Sequence, residues 1–187
     1  MEPYNLESEH LQCYPYARGY YNRRDLLHGI WAAIENAGDW DKILWDRTQT
    51  DTPISTHGDL VDWVNFVHSG HDPKVLLIFQ DKASGELAGI VWFHRIEHGE
   101  AAACIWVVPK FRRSVYPREM VDVGRQYAFY AMGWTKVWAM TPWSNARNLS
   151  KRCGFKDVIT LPKMYRVNGE PGDVYILAME EQDYGRR

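Results

Sequence analysis

Apolar positions along the chain follow two periods, helical in the first third and strand-like after it. Leu26, Leu27, Ile30, Trp31 and Ile34 recur at helical spacing. Asn22 is the predicted N-cap of that helix, with Asp25 at N3, and Asn36 and Gly38 end it. Leu60, Trp63, Val64 and Val67 fall at i, i+3, i+4 and i+7 of a second predicted helix, which Gly70 closes. Between them, residues 40–46 read as a short helix and residues 48–57, polar and broken by Pro53, as a loop. Residues 1–19 keep neither period, because Tyr14-Pro15-Tyr16 and Gly19 interrupt any run, so an irregular arm is predicted there.

From residue 75 the pattern changes to short apolar runs separated by turn residues. Strands are predicted over 75–80, 87–96 and 101–108, joined by turns at Ser84-Gly85 and His98-Gly99. A helix then runs from Pro117 to Gly133, followed by a strand over 134–141 and a short helix, NARNLSKRC, that stops at Gly154-Phe155. Further strands are predicted over 158–161, 164–167 and 174–179, with Asn168-Gly169 as the last turn. The order implies an α+β fold. Its mixed central sheet has about six to seven strands, one parallel βαβ crossover and about four flanking helices.

Length and composition narrow the reading. A chain of 187 residues forms one domain with a substantial core. The expected parts are an arm over 1–21, paired helices over 22–70, the sheet over 74–179 and a charged tail over 180–187. A net charge of −2 gives no bulk attraction to nucleic acid or anionic membrane. Apolar runs are too short to span a bilayer, and no secretory pattern opens the sequence. Cys13, Cys104 and Cys153 are scattered without a CxxC, which points to reduced thiols, a cytoplasmic setting and no metal site.

The segment from Ala101 to Phe155 carries the candidate chemistry. Two parallel strands joined by a helix put the helix N-terminus beside the C-terminal ends of the strands, where backbone N–H groups and the helix dipole attract anions. Arg112, Arg113 and Arg118 lie within a few residues of that turn. A phosphate-bearing cofactor is the expected ligand.

These residues, in this order, resemble the GCN5-related N-acetyltransferase (GNAT) superfamily. The resemblance rests on Val107-x-Pro109-x-x-Arg112, on the long helix after it, and on Asn145 running into Gly154-Phe155. It covers roughly residues 75–179, and the N-terminal helices fit the family's acceptor side. It implies transfer of an acetyl group from acetyl-CoA to an amine acceptor by direct attack. Pantetheine would pair with the main chain of Ile105, Trp106 and Val107. The phosphates would sit on Arg112, Arg113, Ser114, Val115, Tyr116 and Arg118, and the helix bearing Asn145 and Asn148 would form the other wall. Many relatives dimerise, so a homodimer is implied as well. The overall look is also similar to divergent acetyltransferase-like proteins of tailed phages.

Two departures from the family pattern stand out. The loop Arg112-Arg113-Ser114-Val115-Tyr116-Pro117 lacks both small residues of the family's phosphate loop. Val115 resists positive φ and Pro117 has no N–H, although Pro117 suits helix position N1. Either arginine side chains replace backbone amides, or the fold serves as a catalytically inactive structural or interaction protein. The second departure is Ser150, which occupies the place of the family's tyrosine acid. A hydroxyl there is a much weaker acid than a phenol of pKa about 10. General-base candidates are Glu97, His98 and Glu100 at the second hairpin, with His94 further back. Arg147, Lys151 and Arg152 in the short helix have two readings, a phosphate contact or a solvated face. The aromatic and arginine residues of 14–24 read as a packing arm, with single-stranded nucleic acid as the lesser alternative.

Overall fold

The computed structural model describes residues 6–16, 24–39, 75–167 and 170–184. The second predicted helix, the segments over 40–46 and 48–57, the Asn22 cap and the Asn168-Gly169 turn lie outside the described residues.

Strand β1 (Leu11–Tyr16) and helix α1 (Arg24–Ala37) come first. Strands β2 (Val75–Asp81), β3 (Leu87–Glu97) and β4 (Glu100–Val107) form a meander. A 3-10 turn (Pro109–Phe111) leads into α2 (Tyr116–Gln126), which widens into a π-turn over Tyr127–Ala131. Then come β5 (Lys136–Thr141), α3 (Ser144–Arg152), β6 (Lys156–Val167), β7 (Glu170–Glu180) and a short α4 (Glu181–Tyr184). Among the described residues, seven strands form one sheet in the order β1-β2-β3-β4-β5-β7-β6, and only β4 and β5 pair in parallel. This is the mixed α+β architecture that the sequence implies.

Alternation along β2 to β4 divides the core into two layers. Leu77, Phe79, Val91, Phe93 and Ala101 face α2, where Met120, Val123 and Phe129 cover them. Leu76, Ile78, Ile90, Trp92 and Trp106 face the other way, against Ile30 and Ile34 of α1.

Three sequence expectations are corrected. The predicted irregular arm contains β1, which among the described residues is an edge strand, a place where Pro15 is tolerated. The strands predicted over 158–161 and 164–167 are one strand, β6, with a register shift between Leu161 and Tyr165 and Lys163 at φ 55°. The long helix starts one residue before Pro117, and it loses α geometry five residues before Met132.

Candidate acyl-CoA cleft

The parallel pair is short. β4 and β5 are in register from Glu100↔Lys136 to Ala103↔Ala139 and no further. Beyond that point β4 stays paired with β3 through Val107↔Gly89, while β5 stays with β7 through Thr141↔Tyr175. The strands therefore part, and Ile105, Trp106 and Val107 line a cleft of about 540 Å³. One wall is Ser114, Val115, Pro117 and Arg118 at the start of α2, and the other is Trp143, Asn145, Ala146 and Leu149 of α3 and the residue before it. A smaller void of about 40 Å³ sits at the parting point, lined by Ala103, Cys104, Ala139 and Ser150.

Several amides of the loop into α2 are used within the loop and the first helical turn. Arg112 N–H donates to the Pro109 carbonyl and Ser114 N–H to that of Phe111. The Tyr116 N–H donates to Ser114 Oγ at 3.1 Å, and the amides of Arg118 and Glu119 both go to the Val115 carbonyl. Val115 sits at φ −73°, in the right-handed region. A residue that resists positive φ has led the chain through helical turns instead of a glycine loop, and the turns consume their own donors.

Side chains of the loop divide between the cleft and the body. Arg112 borders the cleft, but its Nε donates to the Val107 carbonyl at 2.9 Å and its guanidinium is ion-paired with Asp39. Asp39 is buried just past α1 and also accepts from Trp106 Nε1 at 3.0 Å. Tyr116 turns away: its hydroxyl donates to Asp81 at 2.6 Å and its ring stacks on Phe111. Arg113 is exposed and does not line the cleft, whereas Arg118 does.

In α3, Asn145 lines the cleft and Asn148 faces solvent. The helix ends in a Schellman arrangement, with Phe155 N–H on the Ser150 carbonyl, Gly154 N–H on that of Lys151, and Gly154 at φ 100°. Its three basic residues do different things. Arg147 chelates Asp157 through two 2.9 Å bonds and lies over the Tyr175 ring, and Lys151 donates to the same carboxylate at 2.9 Å. Hydrogen bonds from Arg147 and then Lys151 hold the Asp157 carboxyl far below the usual carboxylate range. Arg152 points instead into the cleft. At the base, Arg125 of α2 donates to the Cys153 carbonyl and fastens the two helices together.

Glu97, His98 and Glu100 stand at the hairpin that opens β4, the opposite end of the strand from the cleft. Glu100 accepts from Trp138 Nε1 at 2.7 Å, and Lys136 is 3.4 Å away, so its carboxyl is held below the ordinary value. His94 is closer to the parting point. It is buried, in register with Ala102, and its Nε2 is 3.6 Å from Cys104 Sγ. Sequence reasoning missed Asp39 and Trp143, because neither belongs to a local motif.

The fold is a mixed α+β sheet whose two parallel strands part and leave an open cleft between the start of α2 and α3. A family model described as an acetyltransferase (GNAT) domain matches residues 24–156, and the chain belongs to that family. No curated protein sequence matches the chain. Among solved structures, the dodecameric spermidine N-acetyltransferase of Vibrio cholerae is similar at 19% identity and TM-score 0.76, covering 96% of this chain and 99% of that one. The same enzyme in complex with CoA and spermine is 18% identical with TM-score 0.74, over 96% of this chain and all of the other. Among the described residues, no helix is long and apolar enough to cross a membrane.

Proposed function

We propose that the protein is an acyl-CoA-dependent N-acetyltransferase that transfers acetyl from acetyl-CoA to an amine by direct attack. The observation that carries this reading is the open cleft at the Ala103/Ala139 parting. Among the described residues, neither Val115, Tyr116 nor a tryptophan fills it. The edge of β4 left without β5 beyond Ala103 suits an extended pantetheine arm, and the arginines at the outer end suit the phosphates. When bound, acetyl-CoA supplies the activated acyl carbonyl. The chain's own part is to hold the thioester at the head of the slot and to take a proton from the amine.

His94 is the base this reading favours over Glu97, His98 and Glu100. It lies one residue from the parting point in register, whereas Glu100 is already committed to Trp138 and Lys136 and is a weaker base for it. Ser150 lines the void where the departing thiolate would form. The thiolate, of ordinary pKa about 8.5, leaves without a strong acid. Calorimetric titration with acetyl-CoA, followed by acetyl transfer to a panel of primary amines, tests the reading. Saturable binding and an acetylated amine are expected. No binding at millimolar acetyl-CoA would overturn it. Binding without transfer to any amine favours the non-catalytic alternative, which the serine at the acid position supports.

A further inference from the structure

The three cysteines of the chain are separated by their surroundings. Cys13 and Cys153 are buried in the core under α2, and that burial pushes both thiols up. Cys104 is only half-buried. It follows Ala103, the last β4 residue in register with β5, so it is the first residue of β4 past the seam. It also lines the small void there, with Ala103, Ala139 and Ser150. On the neighbouring strand His94 is opposite Ala102, and Cys104 stands two residues along from Ala102 on the same face of the sheet. This diagonal brings His94 Nε2 to 3.6 Å from Cys104 Sγ, within hydrogen-bonding reach of sulfur. A thiol beside an imidazole, at the point where two strands part, is an arrangement for nucleophilic chemistry.

We propose that Cys104, with His94 as its base, accepts an acetyl group from acetyl-CoA when no amine is in place. The inference rests on the acyl-CoA reading and adds a second acceptor, one built into the chain. In the step, His94 takes the thiol proton and the Cys104 sulfur bonds to the acetyl carbonyl carbon. The bond from that carbon to the CoA sulfur breaks, and the departing thiolate takes the proton back from His94. The products are S-acetyl-Cys104 and CoA, with no oxidant or further reactant consumed. Both sulfurs are alkyl thiols of similar ordinary pKa, so one thioester replaces another and the exchange runs in both directions. The surroundings favour this thiol over the other two. The nucleophile is a thiolate, and an imidazolium beside it stabilises the negative sulfur. Cys153 also borders the cleft, but it is 1% exposed and meets Arg125 through its carbonyl.

The experiment is mass spectrometry of the full chain, intact and as peptides, after incubation with acetyl-CoA and no amine. One added acetyl group is expected, on Cys104. Neutral hydroxylamine should release it, as it does thioesters, and an excess of free CoA should remove it. Cys104→Ala should abolish the label. His94→Asn should slow its formation about a hundredfold, the lower end of what a positioned base contributes. In the free protein, without acetyl-CoA, iodoacetamide should alkylate Cys104 ahead of Cys13 and Cys153, and His94→Asn should shrink that lead. Calorimetry with CoA checks that each variant keeps its cleft, and the site mapped in the wild type decides the proposal even where a variant fails to fold. No S-acetyl-Cys104 in protein that binds acetyl-CoA overturns the proposal, as does acetyl spread over lysines or shared equally by the three cysteines. An unchanged rate in folded His94→Asn overturns the part given to His94. Failure of the wild type to bind acetyl-CoA at all would instead overturn the acyl-CoA reading.

Discussion

Trp106 and Asp39, 67 residues apart, meet through a 3.0 Å hydrogen bond from indole Nε1 to carboxylate Oδ2. The bond ties the end of α1 to the wall of the cleft. Arg112 joins the same carboxylate, so one buried acid organises both the strand and the loop. Asp39→Ala removes the acceptor and leaves the indole N–H buried. We expect a loss of about 2 kcal/mol in urea denaturation, from an unsatisfied donor and a broken ion pair. Trp106 fluorescence should change with it.

Gly89 sits against the same wall. A Cβ there would lie 2.3 Å from the Trp106 carbonyl and 2.7 Å from Met120 Cε. Methionine can yield, but strand backbone cannot. Gly89→Ala should cost about 1–3 kcal/mol, the range for overpacking a core, and should weaken ligand binding by displacing β4. Thermal denaturation and titration with CoA measure the two effects.

Asp81 gives an acid-side prediction. Hydrogen bonds from Ser84 and Tyr116 lower its carboxyl to a pKa of about 2. The unfolded value is about 3.9. The contribution to stability is therefore complete above pH 4 and is lost as pH falls through 2. Asp81→Asn should be less stable than wild type at pH 6, and the difference in Tm should close between pH 4 and pH 2.

His10 gives the opposite sign. Its Nδ1 is 2.6 Å from Glu119 Oε1, and that bond raises its pKa above 6.5. Ser8 Oγ donates to the same carboxylate, so the turn before β1 is latched to the first turn of α2. Stability from the His10 pair is present below pH 6.5 and declines as pH rises through the raised value. Hydrogen exchange at the Leu11 amide, which is held by Ser8 Oγ, should quicken over that rise, and His10→Gln should abolish the pH dependence.

What the sequence made legible was local. Gly154-Phe155 is a stop signal whose hydrogen bonds span six residues, and the βαβ order follows from periodicity and turn residues alone. The hidden parts depend on partners far along the chain. β1 is a strand because Leu11 pairs with Asp81 and Tyr16 with Leu76, and Pro15 disguises it. The direction of Arg112 is set by Asp39, 73 residues away. Tyr116 is drawn off the cleft by Asp81. Arg147 and Arg152 looked equivalent in sequence, and only the position of Asp157 separates them.

Four residue pairs are all that bond β4 to β5, so the sheet is two panels joined along a short seam. β1 to β4 form one panel and β5, β7 and β6 the other. On the proposed acyl-CoA reading, a ligand lying in the cleft would lengthen that seam by acting as a missing strand between them. Substrate would then be mortar as well as cargo, and the loaded protein should resist being pulled apart across the seam more strongly than the empty one.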